Sequence, residues 1–179
     1  LMCITDTMPV AVNALSVVDR GIQSPHTVKV SDAGAILLVR MDNGAVFRIF
    51  GLGLPGHSNW YRLHGEQGAM ELVRGSGYFG PGQIRVWHEN WNLQPGQEAE
   101  RIYTPDWPEH GELARQAGHG GGDFWTCFHF AQAIRSGEPP FLDVYRGVAM
   151  SSVGILAWKS ALEEGRAFAV PDFRNEESR

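Results

Sequence analysis

Two short apolar segments joined by an asparagine–glycine turn place the firmest constraint on how this chain folds. The segments are Ala35–Met41 and Ala45–Phe50, with Asp42-Asn43-Gly44 between them. Asn-Gly favours the left-handed backbone of a tight turn, and its position between two β-prone segments is typical of a β-hairpin. The sequence therefore predicts an antiparallel pair of strands at this point.

Further segments predict that most of the first half of the chain is β-structure. Strands are predicted at Val10–Val18, Trp60–His64, Ala69–Val73, Gln83–Glu89 and Arg166–Val170. A turn is predicted at Gly65-Glu66-Gln67-Gly68. Asn90–Gly118 is polar and contains three prolines, so it is predicted to be a long connection without a regular element.

Two helices are predicted after that connection. The first has an apolar stripe at helical spacing, made by Phe124, Phe128, Ala131 and Ile134. Gly137 is a typical end for it. The second is Val144–Glu164, with Asp143 as its N-cap and Gly165 at its end. We expect small residues on its inner face to bring it close to the sheet: Ala149, Ser151, Ser152, Gly154 and Ala157.

The order of these elements predicts an α+β fold. Strands come first and helices last, which is typical of an open, mostly antiparallel sheet with helices packed on one face. The length of 179 residues allows one domain with a hydrophobic core, so we expect residues 1–179 to form a single domain. The chain begins at Leu1, without an initiator Met, in what looks like the end of a helix, and we expect it to be part of a longer protein.

Composition excludes several classes of partner. A net charge of -5 argues against a nucleic-acid or anionic-membrane partner. No apolar stretch reaches the roughly 18 residues that span a membrane. The two cysteines, Cys3 and Cys127, form neither a disulfide framework nor a metal-site spacing, and we expect a cytoplasmic protein.

A glycine run leads directly into the first predicted helix. Its sequence is Gly118-His119-Gly120-Gly121-Gly122-Asp123, and Asp123 is the predicted N-cap. Glycines allow a sharp bend here, and the free N–H groups and positive dipole end of a helix start favour an oxygen-rich ligand. His119 and Asp123 are therefore candidate binding residues. The alternative is a plain glycine-rich connection with an ordinary cap.

Other motifs carry less functional information. Gly51-Leu52-Gly53-Leu54-Pro55-Gly56 has the spacing of the dinucleotide-binding fingerprint. However, Pro55 and a predicted strand follow where the fingerprint requires a helix, so no cofactor-binding residue is predicted. No spacing of His, Cys, Asp and Glu matches a common metal site. The remaining histidines are predicted to be surface or structural residues: His26, His64, His88, His110 and His129.

Several segments, taken in order, resemble the C-terminal part of the glucose–fructose oxidoreductase / inositol dehydrogenase family (Gfo/Idh/MocA). They are the Asp42-Asn43-Gly44 hairpin, Leu63–Glu71, the glycine run, Pro139–Tyr145, the helix end Glu164-Gly165 and Val170–Phe173. The resemblance covers nearly the whole chain. It implies the fold of a dihydrodipicolinate-reductase-like C-terminal domain.

The resemblance also implies a function. Members have an N-terminal Rossmann domain, absent from this chain, that binds NAD or NADP. This chain would then be a substrate-binding and oligomerisation domain without its own catalytic residue, cofactor or metal, and it would be inactive alone. The implied ligand is a small sugar or polyol, held by His57, Asn59, Trp60, His119 and Asp123. His57 lies where related NAD-dependent glycosidases carry a substrate-contacting aromatic residue.

Three functions stay open at this point. The first is an NAD(P)-dependent oxidoreductase that acts on a sugar or polyol. The second is an NAD-dependent glycoside hydrolase of the same fold, and the third is a non-catalytic dimerisation module. In each case one face of the sheet needs a cover, because aromatic residues such as Phe47, Trp60 and Trp87 are expected on it. A homo-oligomer formed through this open face is therefore predicted.

Overall fold

A computed structural model describes residues 2–18, 32–52, 60–74, 82–107 and 109–175. In chain order its helices and strands are α1 (Met2–Thr5), β1 (Pro9–Val18), β2 (Asp32–Met41), β3 (Val46–Leu52), β4 (Arg62–Gly65), β5 (Gly68–Leu72), β6 (Ile84–His88), β7 (Glu100–Tyr103), α2 (Gly111–Gln116), α3 (Gly122–Ser136), α4 (Val144–Leu162) and β8 (Phe168–Ala169). Short 3₁₀ turns occur at Asn90–Asn92 and His119–Gly121.

The described strands form two four-stranded sheets, and neighbouring strands in each are antiparallel. The chain divides into two compact units: Leu1–His57 with Ala133–Arg179, and Ser58–Gln132. The predicted α+β fold with antiparallel strands is confirmed. The strands nevertheless separate into two sheets, one in each unit, where a single sheet was expected.

The predicted hairpin is the pair β2–β3, at one side of the first sheet, whose strand order is β3-β2-β1-β8. The last pair before the turn is Arg40 with Val46. Gly44 has a φ of 86°, and its N–H donates to the carbonyl of Met41 at 3.0 Å. Asn43 Oδ1 accepts from the N–H of Ala45 at 3.0 Å. Local turn chemistry therefore fixes the register of β2 and β3.

One face of this sheet forms the core of the first unit. α4 packs on β1, and the buried residues alternate along β1 and β2 as the two-residue period of a strand requires. The buried core consists of Met2, Val12, Ala14, Val39, Met41, Ala157 and Val170. Phe47 packs against this core, so its predicted position on the open face is wrong. It pairs with Val39, and both side chains project to the side of the sheet that holds the core.

The opposite face of the first sheet is apolar and exposed. Leu15, Ile36 and Phe50 lie side by side in one row across β1, β2 and β3. Leu38 lies in the next row, between Asn13 and Arg48. Exposed apolar side chains in adjacent rows make one continuous surface, of the kind that marks interaction sites.

Helix α4 approaches β1 closely because its inner face has small side chains. Ala149, Ala157 and Ser160 are buried. The predicted inner positions Ser151 and Gly154 are exposed instead, because the helical period turns them away from the sheet. Asp143 caps the helix as predicted and accepts from the N–H of Arg146 at 2.8 Å. No helix within the described ranges combines the length and hydropathy needed to cross a membrane.

Ser160 replaces a missing strand contact. β8 pairs with β1 only at Ala11 and Val12, so Ala14 lies beyond the end of that pairing. The N–H of Ala14 instead donates to Ser160 Oγ at 2.8 Å, and the hydroxyl donates to the carbonyl of Ala14 at 3.4 Å. Ser160 is 0% exposed, so its hydroxyl satisfies backbone groups that water cannot reach.

The second unit contains the sheet β4-β5-β6-β7. A row of charges crosses one of its faces: Glu71 contacts Arg62 at 3.2 Å and Arg85 at 3.0 Å, and Arg85 reaches Glu100 at 2.8 Å. The hydrogen bond from Arg85 holds the pKa of the Glu100 carboxyl below its ordinary value. Trp87 lies on the same face of β6 as Arg85 and is half-buried, so it does not form an exposed apolar patch.

The prediction that Asn90–Gly118 has no regular element is wrong. It contains β7, α2 and a 3₁₀ turn. β7 is an edge strand of sequence Glu-Arg-Ile-Tyr, and charged residues along an edge conceal the apolar alternation by which strands are recognised. α2 has six residues, too few for a helical period to show in the sequence.

Replacing Ser160 by alanine tests the contact between α4 and β1. Because Ser160→Ala leaves the N–H of Ala14 buried without an acceptor, we expect the free energy of unfolding to fall by about 1–3 kcal/mol. Ser151→Ala on the same helix is the matched control, since the Ser151 hydroxyl is exposed and donates to the carbonyl of Gly147. We expect it to change stability by less than about 0.5 kcal/mol. Urea denaturation measures both, and equal effects would contradict this account.

Candidate functional site

The glycine run forms a tight 3₁₀ turn between α2 and α3 in the second unit. Gly121, the last residue of this turn, is buried and has a φ of 99°, which only glycine adopts without strain. A Cβ at this position would lie 2.9 Å from Trp107 Nε1 and 3.2 Å from the carbonyl oxygen of Ala114. The missing side chain therefore lets the turn pack directly against α2.

His119 is held outward at the start of this turn. Its φ is 52°, in the left-handed region that few residues other than glycine occupy, and its side chain is 86% exposed. Its Nδ1 lies 2.9 Å from Asp123 Oδ1 and 3.0 Å from Oδ2. Any Cβ on Gly118 would overlap the Asp123 carboxylate, so that glycine provides the space in which this pair forms.

The predicted role of Asp123 as N-cap is not what the structure has. Asp123 lies inside the first turn of α3, one residue after the helix begins at Gly122. Its carboxylate contacts the His119 ring instead of a backbone N–H of the first turn. The 3₁₀ turn runs directly into α3, so the helix starts earlier than the residue pattern indicates. A carboxylate in the first turn still benefits from the helix dipole.

An open depression of about 500 Å³ lies beside this pair. It is lined by Ala117, Asp123, Phe124, Cys127 and Phe128. The rings of Phe124 and Phe128 are stacked one helical turn apart, with centroids separated by 5.7 Å and planes inclined by 21°. The depression is therefore an almost wholly apolar, largely aromatic surface, and Asp123 is one of the residues that line it.

A larger aromatic cluster surrounds α3. Trp125 contacts Trp107 at 5.4 Å between ring centroids and His129 at 5.5 Å. His110 lies 5.0 Å from Phe128 and 6.0 Å from Phe124. His110 was expected to be a surface or structural residue, because nothing in the sequence around it predicts that it lies beside α3.

In the His119–Asp123 pair, the Asp123 carboxylate orients the imidazole ring of His119. When the carboxylate accepts from Nδ1–H, the neutral ring keeps Nε2 as an acceptor directed away from Asp123. A sugar hydroxyl can donate to this nitrogen and a second hydroxyl can donate to a carboxylate oxygen. Within the ranges that the structure describes, no group of three or more His, Cys, Asp or Glu residues could hold a metal ion.

Of the other predicted site residues the structure describes Trp60, and the contacts of Trp60 lie elsewhere. Trp60 donates from Nε1 to the carbonyl of Leu72 at 3.0 Å, and the guanidinium of Arg74 lies 5.0 Å from its ring. Among the described contacts, no hydrogen bond, ion pair or ring contact joins Trp60 to His119 or Asp123. His57 and Asn59 lie outside the described residues, as does most of the Gly51–Gly56 motif.

The sequence matches a family model described as "Glycosyl hydrolase 109, C-terminal domain" over residues 42–178. The glycosyl hydrolase family 109 protein of Shewanella amazonensis is 41% identical over 95 residues, which is 52% of this chain and 20% of that protein. Glycosyl hydrolase family 109 protein 1 of Akkermansia muciniphila is 39% identical over 75 residues, 41% of this chain and 16% of that protein. The matched stretches thus span a fifth or less of these relatives.

Solved structures show the same fold at low sequence identity. An aldose-aldose oxidoreductase from Caulobacter crescentus, complexed with glycerol, superposes with a TM-score of 0.62 and 21% identity, over 94% of this chain and 43% of that one. Levoglucosan dehydrogenase in complex with NADH and levoglucosan gives a TM-score of 0.62 and 22% identity, over 93% of this chain and 46% of that one. This chain therefore spans less than half of either protein.

Alanine substitution in the glycine run separates backbone strain from close packing. Gly121→Ala combines a disfavoured φ with a clash against Trp107 and Ala114, and we expect it to cost about 2–4 kcal/mol. Gly120→Ala at φ 64° has open space around its Cβ, so only the conformational cost of about 1–2 kcal/mol applies. Thermal unfolding of the two variants compares them. Gly121→Ala at or below the cost of Gly120→Ala would rule out the packing role.

Proposed function

The chain belongs to the family described as Glycosyl hydrolase 109, C-terminal domain, and from this membership we propose that residues 1–179 are the sugar-binding and oligomerisation domain of a glycoside-cleaving enzyme. The fold is that of the C-terminal domains of Gfo/Idh/MocA oxidoreductases. The observation that carries the proposal is the His119–Asp123 pair beside the aromatic depression.

In this proposal the chain binds and orients a sugar. Asp123 fixes the tautomer and the orientation of the His119 ring. The ring is therefore already positioned for Nε2 to accept a hydrogen bond from a sugar hydroxyl. The phenyl rings of the depression exclude water from the apolar face of the ligand. His57, Asn59 and Trp60 remain proposed sugar contacts on the strength of the resemblance. No residue of this chain is assigned a catalytic role.

The redox cofactor in this proposal is NAD or NADP, held by a domain outside this chain. Dinucleotide sites of the Rossmann type need parallel βαβ units, whereas the described strands pair only in antiparallel fashion. The described residues therefore do not fit the cofactor. Hydride transfer is the chemistry that a nicotinamide supplies, and this chain contributes the position of the sugar.

Two reaction types fit a sugar held in this way. Glycoside cleavage by transient oxidation and elimination is favoured by the family match and by the names of the curated relatives. The second candidate is a sugar or polyol dehydrogenase, for which the observation is the fold shared with oxidoreductases that bind sugars. The family match does not favour the third function, a non-catalytic dimerisation module. We also propose a cytoplasmic location, with which the free, exposed thiols of Cys3 and Cys127 are compatible.

The exposed face of the first sheet is the proposed oligomer interface. Leu15, Ile36, Leu38 and Phe50 expose contiguous apolar area on three strands, and burial of such area against a second copy would stabilise a dimer.

A charge placed in the middle of this face should separate the subunits. We expect Ile36→Glu, whose side chain would lie between those of Leu15 and Phe50, to convert an oligomer into a monomer, because its carboxylate would be buried among apolar side chains between the two copies. Gln97→Glu, in a polar turn of the other unit, adds the same charge as a control and should leave the oligomer unchanged. Light scattering with size exclusion gives both masses. A monomeric parent at high concentration would refute the interface.

Variants of the complete gene product test the sugar site. We expect His119→Ala to raise the KM for sugar about tenfold, the value of one oriented hydrogen bond, and to leave the Kd for NAD(P) within about twofold. His64→Ala, an exposed histidine on β4, is the control and should alter neither constant. Release of nitrophenol from aryl glycosides without net cofactor reduction identifies the hydrolase, and net reduction identifies the dehydrogenase. If His119→Ala weakened cofactor and sugar equally, the proposed role would be wrong.

A further inference from the structure

The side of α4 that faces away from the sheet is apolar along the whole helix. Its apolar side chains recur at intervals of three and four residues, so they form one row, which we call the outer stripe. The outer stripe consists of Val144, Val148, Ile155, Trp158 and Leu162, all of which are exposed. A helix of 19 residues is about 28 Å long, so the outer stripe is a long and narrow apolar surface.

This pattern is typical of a helix that is covered on both sides. Ala157 and Ser160 are buried on the side of the sheet, and a surface helix would have charged residues on the opposite side. Val144–Leu162 contains no acidic residue, and its two basic residues, Arg146 and Lys159, both lie outside the outer stripe. The composition of α4 therefore indicates a second layer of protein above it.

Two glycines lie beside the outer stripe, and no contact within the described residues explains them. Gly147 and Gly154 are seven residues apart, so they lie on the same side of the helix, two turns from each other. Glycine inside a helix is destabilising relative to alanine. Apart from the helix's own backbone, no atom of the described residues would lie within 4 Å of a Cβ at either position. Close approach of another backbone is a physical reason to have glycine at both positions.

The start of the chain lies on the same side of the sheet as α4. Met2 belongs to the buried core that also contains Ala157 of α4. Asp6, which follows α1, forms an ion pair with Arg146 in the first turn of α4. In the proposed function the cofactor domain precedes this chain. That domain would therefore join the first unit on the side of the outer stripe, opposite the exposed face of the sheet.

We propose that the outer stripe, with Gly147 and Gly154 beside it, is the surface on which the part of the complete protein that precedes Leu1 docks. This inference rests on the proposed function, which assigns NAD(P) to that part. The chain covers 43% and 46% of the aldose-aldose oxidoreductase and levoglucosan dehydrogenase structures, so more than half of each lies outside the matched region.

A second copy of the chain fits this surface less well. The exposed face of the sheet, on the other side of the first unit, is the proposed dimer contact, and a twofold dimer uses one self-complementary surface. The outer stripe then needs a different occupant. Contact along a rigid helix would also fix the direction in which the cofactor domain meets this unit.

Photocrosslinking in the complete protein identifies what covers the outer stripe. The photoreactive residue p-benzoylphenylalanine replaces Trp158 in the outer stripe or, as the matched control, Phe50 on the exposed face of the sheet. Both are exposed aromatic residues of the first unit. Oligomers that mix unlabelled and isotope-labelled subunits let mass spectrometry separate crosslinks within a subunit from crosslinks between subunits.

We expect the residue at position 158 to crosslink to a peptide that precedes Leu1 in the same subunit, and the residue at position 50 not to crosslink to that region. A crosslink from position 158 to residues 58–132 or to another subunit would overturn the inference, as would the absence of any crosslink. Binding of NAD(P) is measured separately. If the complete protein did not bind it, the proposed function would fail, whereas a crosslink to the preceding part would still support the docking surface.

Gly154→Leu provides a second test, in which the direction of the change in Tm decides. Leucine is a better helix former than glycine, so on an open surface the substitution would raise the Tm of the complete protein by about 2 °C. Below a closely packed second layer the added side chain would clash. We therefore expect the Tm to fall by about 5 °C, and a rise would contradict the inference.

Discussion

Both units of this protein depend on close packing between two elements at positions that have small side chains or glycine. In the first unit, Ala157 and Ser160 let α4 lie against β1, near enough for a serine hydroxyl to bond to the strand. In the second unit, Gly121 lets the 3₁₀ turn rest on Ala114. Protein interiors are packed as densely as crystals of small organic molecules, so an added methyl group at such a position would clash with its neighbours.

The candidate site follows from the second of these contacts. Once the turn is fixed on α2, the residues at either end of that helix are directed to α3. His119 meets Asp123, and His110 meets Phe128. Both histidines have a backbone that tertiary packing must hold in place. Binding sites commonly consist of loop residues held by a rigid scaffold. Folding of the scaffold already places these side chains in their binding orientation, so ligand binding does not have to order them.

Local signals in the sequence predicted the elements that are governed by local chemistry. The Asn43-Gly44 turn and the Asp143 cap occur as expected, since each is set by residues within a few positions. The partition of strands into two sheets was not predictable, because strand pairing depends on contacts between distant residues. β7 and α2 were missed for the related reason that short or charged elements have no period to detect.

The same limit applies to the site. His119 and Asp123 stood out because a glycine run marks them, although their contact with each other was not foreseen. No sequence pattern singles out His110, which the fold places beside Phe124 and Phe128. An exposed apolar sheet face was expected, but Phe47 is not part of it. Side chains alternate along β3, so Phe47 faces the core while Phe50 is exposed, and the sequence does not say which face the core covers.

A crystal structure of the complete protein with NAD(P) and a bound pyranoside tests the central claim most directly. The account predicts a sugar ring lying on Phe124 and Phe128, with one hydroxyl within hydrogen-bonding distance of His119 Nε2 and the Asp123 contact to Nδ1 retained. A sugar bound elsewhere, with His119 and Asp123 still facing solvent, would contradict it.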